Sequence, residues 1–255
     1  MEFGVCTGPE NADLCYAAGA DFLEAHVQNF LMPADPLWQK PLDPQTLPIP
    51  IAAYNCFFPA DLKITGPNVD MNRLKVYAVR ACKRANEMGS SVIVLGSGGA
   101  RNIPDGWPRE KGEEQLIEAM RLIGPLAKMS SLTVALEPLH TGESNILNSV
   151  AEGMDYLRRA RTAGVTILAD FYHMALENEP MDALDGTARL LSHVHIAEPQ
   201  GRVAPRPGST NLRPFFAKLK AIGYDKRISL ECSWEDLKKQ AAPTLKYVRA
   251  EWEAA

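Results

Sequence analysis

The chain has 255 residues, of which 46% are hydrophobic and 23% charged, a balance typical of a globular protein. Its formal net charge is −4 and its lysines and arginines are scattered, which argues against a nucleic-acid-binding protein. The five cysteines are odd in number and form no C-x-x-C pair, so we expect free thiols in a reducing compartment.

The first residues show no basic stretch followed by an apolar run, and no run of about 18 apolar residues occurs further along. We therefore expect no signal peptide and no membrane span. The unpaired cysteines agree with this expectation, and the predicted location is the cytoplasm.

Short, nearly continuous apolar segments recur through the chain, as expected for strands that are buried on both faces. Eight such segments occupy residues 3–6, 22–27, 49–54, 91–95, 133–136, 166–169, 193–196 and 228–231. Between them, helical periodicity predicts helices over residues 71–88, 113–129, 149–163, 212–222 and 235–252.

Capping residues mark several of these helix ends. Ser149 and Glu152 form a capping-box pattern, and Gly164 and Gly223 stand where C-terminal caps belong. Pro243 lies inside the last helical segment and is expected to kink or split it.

Strand–helix alternation through eight strands predicts an α/β fold, a closed (β/α)8 TIM barrel that residues 1–255 form as a single domain. An open doubly wound sheet is the alternative, but Gly4-x-x-x-Gly8 does not match its G-x-G-x-x-G loop. The two long loops, 28–48 and 96–112, both follow strands, and such loops form the mouth of the active site in a TIM barrel.

The last four strands each end at or near an ionisable side chain, and these are Glu137, Asp170, His195 and Glu231. Since consecutive strand ends share one rim, the four should surround one cavity, where a divalent cation would relieve the repulsion between the carboxylates. The oxygen-rich set favours Mn²⁺, with Mg²⁺ or Co²⁺ as alternatives and Zn²⁺ less favoured. Taken alone, each residue could instead cap a loop or form a surface ion pair.

Several neighbouring residues are further candidates for the same region. His193 shares a strand face with His195 and is expected to support the site or the fold rather than to touch the metal. Glu24, His26 and His140 fall at positions near the predicted mouth.

Several stretches resemble one family, the sugar isomerase/epimerase superfamily of xylose-isomerase-like barrels. The nearest members are the ketose 3-epimerases, such as tagatose and allulose 3-epimerases, and hydroxypyruvate isomerase. The similar stretches are residues 96–99, 136–145, 170–173, 193–198 and 223–231, and the resemblance extends over nearly the whole chain.

The resemblance implies one metal ion held by Glu137, Asp170, His195 and Glu231, with Glu137 and Glu231 also acting as the catalytic acid/base pair. It implies that Glu143 and His173 bind substrate oxygens. It further implies a substrate-binding arginine after the metal histidine, for which Arg202 fits and Arg206 is the alternative. Family members are often oligomers, so a homo-oligomer is compatible with it.

We therefore expect a metal-dependent isomerase or epimerase of a small sugar or keto-sugar, which moves a proton through a metal-stabilised enediolate. Its expected partner is a small-molecule carbohydrate, not a membrane or a nucleic acid. A metal-dependent dehydratase or lyase acting on a keto-sugar or inosose is the alternative. An endonuclease of the same superfamily would need more metal ligands and a basic groove. A non-catalytic barrel subunit would not need the four ligands.

Overall fold

Eight parallel strands pair in chain order into a closed barrel in the computed structural model, which describes residues 1–40, 42 and 47–255. The prediction of a closed (β/α)8 barrel is confirmed, and each predicted strand boundary lies within two residues of the observed one. The strands are β1 (Glu2–Cys6), β2 (Phe22–His26), β3 (Ile51–Asn55), β4 (Val92–Leu95), β5 (Thr133–Leu136), β6 (Val165–Asp170), β7 (Leu191–Ile196) and β8 (Arg227–Leu230).

Helices of very unequal length connect the strands. After β2 the described residues contain a single π-helical turn, Val27–Leu31, where a regular barrel would have a helix. Residues 41 and 43–46 of the predicted loop 28–48 lie outside the described residues. The α-helices are α1 (Ala12–Ala17), α2 (Met71–Glu87), α3 (Gly98–Arg101), α4 (Arg109–Met129), α5 (Val150–Ala160), α6 (Phe171–Leu176), α7 (Arg213–Ala221) and α8 (Leu237–Glu253).

The predicted helix caps are only partly correct. The Ser149 hydroxyl accepts a hydrogen bond from the backbone N–H of Glu152, as the capping box predicts. Gly223 follows α7 with φ 76°, the left-handed conformation expected there. The prediction for Gly164 is wrong, because α5 ends three residues earlier and Arg161 takes the left-handed cap conformation itself.

The last helix runs unbroken through a proline. We expected Pro243 to kink or split this segment, yet α8 is one continuous helix. Ala241, Leu245 and Val248 are buried along one of its faces. This packing stabilises α8 although proline removes one backbone hydrogen bond, so tertiary contacts override the local helix-breaking tendency.

The interior of the barrel is apolar on one side and polar on the other. A small apolar cluster is separate from the main core that lies between sheet and helices, and its members alternate with main-core residues along the same strands. Glu24, His193 and Ser229, from β2, β7 and β8, are buried and bonded to one another. The apolar cluster comes from β3 to β6 and comprises Ala53, Val92, Val94, Ala135 and Leu168.

Candidate active site

Four ionisable residues at or just after the ends of β5 to β8 converge at one place on the barrel rim. Potential ligand atoms of Glu137, Asp170, His195 and Glu231 all lie within 4.8 Å of one another. His195 Nδ1 is 3.1 Å from a Glu137 oxygen and 3.2 Å from a Glu231 oxygen. The strand register contributes to this, since Asp170 and His195 are direct neighbours in the β6–β7 pairing. The structure therefore brings together all four predicted ligands.

The donor atoms of this cluster suit a divalent cation. Asp170 Oδ2 is buried and has no hydrogen-bond partner within the described residues. Such an orphaned carboxylate oxygen is unfavourable unless a cation or a donor faces it. Three carboxylates with one imidazole form a predominantly hard ligand set, of the kind that binds Mn²⁺ or Mg²⁺.

A buried carboxylate on β2 orients the histidine of the cluster. Glu24, at 1% exposure, lies 3.0 Å from His195 Nε2, 2.7 Å from His193 Nε2 and 2.6 Å from Ser229 Oγ. Because Nε2 of His195 faces Glu24, it is Nδ1 that faces the other carboxylates. Metal-binding histidines in proteins commonly donate their second ring nitrogen to a carboxylate in this way. His193 thus bonds to Glu24 and packs edge-on against the His195 ring, with the ring centroids 5.1 Å apart, and it lies outside the four-residue cluster.

The cluster shifts its titratable groups in different directions. Burial alone would raise the pKa of Glu231, but the charges of His195 and Arg202 outweigh it and lower the pKa to about 2. Burial and the nearby Glu231 carboxylate raise the pKa of Glu137. Burial, opposed by His195 but reinforced by both glutamates, raises the pKa of Asp170 to about 7. Without a cation, the full negative charge of the site is therefore unfavourable at neutral pH.

A fully buried arginine fixes the backbone at Glu137. Arg101 donates to the Glu137 carbonyl at 2.7 Å, and no carboxylate lies within ion-pair distance of it in the described part of the chain. Its remaining partners are the carbonyls of Leu95 and Leu147 and the hydroxyl of Ser144. Sequence reasoning missed Arg101, and its position two residues after the glycine-rich stretch 96–99 was the available signal.

The glycine-rich loop after β4 leaves room for the catalytic candidate. A Cβ atom on Gly96 would overlap the Glu137 carboxylate, so only glycine allows that side chain to lie there. The next residue, Ser97, has φ 44°, and Cys56 and Arg202 also adopt positive φ values beside the same cavity. Left-handed non-glycine residues are uncommon and often mark functional sites.

Arg202 reaches across the mouth of the site. Its guanidinium lies 2.5 Å from Glu231 Oε2 and 3.1 Å from Glu143 Oε1, and it stacks on the Tyr172 ring at 4.7 Å. Arg206, the alternative from the sequence, instead lines a separate cavity with neighbouring prolines. Of the two arginines, only Arg202 is placed to contact a molecule bound at the cluster.

His173 is a buried donor next to the cluster. Its Nδ1 accepts the His140 backbone N–H at 3.0 Å, so a neutral ring carries its proton on Nε2. That Nε2 has no hydrogen-bond partner within the described residues and lies 3.5 Å from Asp170 Oδ2. Burial and the charge of Arg202 lower the pKa of His173 to about 3, so the ring is neutral. His140 also pairs with Glu143 at 3.2 Å, which places Glu143 at the same mouth.

The cavity above the cluster has two lobes that share Arg202 and Glu231. The β4 lobe has a volume of about 320 Å³, contains Glu137 and Glu143, and is further lined by Gln28, Cys56, Phe58, Ala60, Gly96–Gly99 and Leu139. The β1 lobe has a volume of about 440 Å³ and is further lined by Cys6, Thr7, Gly8, Glu24, His26, Asn55, Cys232 and Ser233.

A closed parallel barrel with an acid-rich cavity at the carboxyl ends of its strands defines a TIM-barrel protein with a candidate metal centre. The chain belongs to the xylose isomerase-like TIM barrel family, whose sequence model matches residues 12–251. This confirms the family inferred from the sequence. None of the described helices has the length and apolar character that crossing a membrane requires.

Among curated relatives, the 3-dehydro-D-guloside 4-epimerase of Escherichia coli is 30% identical over 115 residues, 44% of each chain. The ketose 3-epimerase of Arthrobacter globiformis is 32% identical over 120 residues, 46% of this chain and 41% of that protein. The chain thus spans less than half the length of these two relatives. A solved structure of 3-keto-D-glucoside 4-epimerase from E. coli has the same fold, with a TM-score of 0.82 at 22% identity over 98% of this chain and 99% of that one.

Proposed function

We propose that this protein is a divalent-metal-dependent epimerase or isomerase of a small sugar or keto-sugar. One observation carries the proposal: Glu137 and Glu231 belong to the same four-residue cluster and also line the same lobe of the cavity. Both curated relatives described above are sugar epimerases by name, which supports the same class of reaction. We also infer that residues 1–255 act as one barrel domain.

The cluster would hold a single cation through Glu137, Asp170, His195 and Glu231, with Mn²⁺ as the preferred ion and Mg²⁺ or Co²⁺ as alternatives. When bound, such a cation stabilises the negative charge that develops on a carbonyl oxygen as the adjacent carbon loses its proton. Glu24 would keep the Nδ1 lone pair of His195 turned toward the ion.

The two glutamates would move the proton. One carboxylate removes it from the carbon beside the carbonyl, and the other carboxyl group returns it. Return to the opposite face of the same carbon inverts that centre, whereas return to the adjacent carbon moves the carbonyl. Both carboxylates line the lobe where the reacting carbon would lie, so each is within reach of it.

Three further residues would hold the substrate. His173 offers a neutral Nε2–H donor beside the cluster, suited to a carbonyl or hydroxyl oxygen. Arg202 and Glu143 are ion-paired at the mouth and can exchange this contact for sugar hydroxyls. Glu143 and Arg202 would present these groups in the β4 lobe, which the glycine-rich loop also lines.

The test is solvent deuterium incorporation into keto-sugars by the Mn²⁺-loaded protein. We expect Glu137→Gln and Glu231→Gln, made separately, each to lower the exchange rate by at least about 100-fold, the usual contribution of a general acid or base. Glu198→Gln is a matched control, since Glu198 is also buried and, among the described residues, its carboxylate bonds to Ser209 and Thr210 outside the cluster.

Wild-type exchange in either cluster variant would remove that glutamate from the mechanism. Product analysis in the same assay separates the reaction classes. Epimers or carbonyl isomers support the proposal, whereas loss of a hydroxyl group from the substrate would identify a dehydratase and overturn it.

A further inference from the structure

The cavity is larger than the reacting sugar needs. Both lobes fall within the range of roughly 300–1,000 Å³ that small-molecule sites occupy. The β4 lobe contains both acid/base candidates, Glu137 and Glu231, so the reacting ring belongs there. The β1 lobe contains Glu231 but not Glu137, yet it is the more voluminous of the two.

Small side chains create this second space. The ends of β1 and β8 contribute Cys6, Gly8, Cys232 and Ser233 to its wall, and no phenylalanine, tyrosine or tryptophan is among its lining residues in the described chain. Ser233 is exposed, so its hydroxyl is accessible to a bound molecule. A wall of this kind leaves room for a second part of the ligand, and it offers no flat apolar surface on which an aromatic ring of a ligand could stack.

The β1 lobe also presents polar groups with unused hydrogen-bonding capacity. His26 Nδ1 accepts the Gln28 backbone N–H at 3.2 Å, which leaves the proton of the neutral ring on Nε2. The Thr7 hydroxyl accepts from Asn11 at 2.8 Å and keeps its own proton for donation. Together with Ser233, these groups provide donors and acceptors of the kind that bind sugar hydroxyls.

The two lobes meet at Glu231 and Arg202, which line both. At this junction Asn55 Nδ2 lies 3.2 Å from Glu231 Oε1, and Arg202 holds the other Glu231 oxygen. Because Glu231 and Arg202 line both lobes, a ligand whose keto ring lies beside Glu137 and Glu231 has its remaining part at the edge of the β1 lobe.

We propose, on the basis of the proposed function, that the substrate is a keto-glycoside of disaccharide size. Its keto ring occupies the β4 lobe, and its second ring, joined through the glycosidic oxygen, occupies the β1 lobe beside His26, Thr7 and Ser233. The second ring takes no part in the proton transfer and serves for recognition, so its loss affects substrate specificity and not the reaction type.

The test compares a free keto-hexose with a keto-disaccharide that carries the same keto ring, using deuterium exchange by the Mn²⁺-loaded protein. We expect kcat/KM for the disaccharide to exceed that for the free sugar by at least about ten-fold. Ser233→Phe should fill the β1 lobe and reduce this ratio about ten-fold or more. Ser130→Phe, at the other end of the barrel after α4, should leave the ratio at its wild-type value.

A second variant covers the case in which Ser233→Phe does not fold. His26→Asn removes the imidazole and should raise KM for the disaccharide more than KM for the free sugar. Equal effects of these variants on both substrates, or no wild-type preference for the disaccharide, would refute the second-ring site while the proposed function stands. Absence of exchange with either substrate in the wild-type protein would refute the proposed function itself, and this inference with it.

Discussion

Replacing Glu24 with glutamine should weaken metal binding although all four candidate ligands remain. Three donors meet at this carboxylate: His193 Nε2 at 2.7 Å, Ser229 Oγ at 2.6 Å and His195 Nε2 at 3.0 Å. Glutamine keeps one oxygen and replaces the other with an NH₂ group, which can only donate. Glutamine therefore leaves one acceptor oxygen for three donors and turns an NH₂ group toward at least one of them.

The orientation of the new amide determines the consequence for His195. If the NH₂ group faces His195, repulsion between this group and the Nε2–H favours the tautomer with the ring proton on Nδ1, which faces Glu137 and Glu231. The lone pair that a cation needs is then absent. If the NH₂ group faces the other two donors instead, His193 and Ser229 must reorganise inside the barrel.

Loss of such a supporting partner typically lowers metal affinity about 10–100-fold. This corresponds to about 1.4–2.8 kcal/mol of binding free energy. We therefore expect the dissociation constant for Mn²⁺ to rise by about 10–100-fold in Glu24→Gln, measured by isothermal titration calorimetry on metal-free protein.

Two controls make the result interpretable. Glu198→Gln changes a buried glutamate outside the cluster and should bind Mn²⁺ like the wild type. The melting temperature of each metal-free variant reports whether the barrel has folded. Wild-type Mn²⁺ affinity in Glu24→Gln would show that His195 is oriented without this carboxylate, and the reasoning would be wrong.

Three further substitutions test the surroundings of the cluster. Asp170→Asn should stabilise the metal-free protein at pH 8 by up to about 4 kcal/mol but hardly at pH 4. The pKa of Asp170 rises from 3.8 to about 7 on folding. The stability that the protonated Asp170 contributes is therefore complete below about pH 4 and is lost as the pH rises through 7. Denaturant unfolding at pH 4 and pH 8 measures the difference between the variant and the wild type. Gly96→Ala should weaken Mn²⁺ binding in calorimetry, because the new Cβ displaces the Glu137 carboxylate, while the metal-free protein keeps a melting temperature close to that of the wild type. A lowered melting temperature with wild-type Mn²⁺ affinity would contradict this. Arg101→Met should reduce the free energy of unfolding by about 2–4 kcal/mol, since the Glu137 carbonyl loses a charge-assisted bond. Arg84→Met removes a single carbonyl contact and should reduce the free energy of unfolding by less.

Local pattern in the sequence was sufficient for the architecture. Strand segments buried on both faces show nearly continuous apolar runs, and their boundaries were found within two residues. The positions of Glu137, Asp170, His195 and Glu231 followed from the same pattern, because parallel strands present their carboxyl ends on one rim. The errors concern the helices: the cap expected at Gly164 lies beyond the end of α5, and packing carries α8 through Pro243 against the local preference.

The sequence by itself determined that this chain forms a closed barrel with an acid-rich rim, since both features depend on short-range periodicity. Only the tertiary structure decided which atoms face one another there. Glu24 and His193 are 169 residues apart and Arg101 and Glu137 are 36 apart, and no local pattern links the members of either pair. The orientation of His195 and the second lobe of the cavity also depend on side chains from separate strands. Such contacts exist only once the barrel has closed, because closure brings strands from distant parts of the chain together.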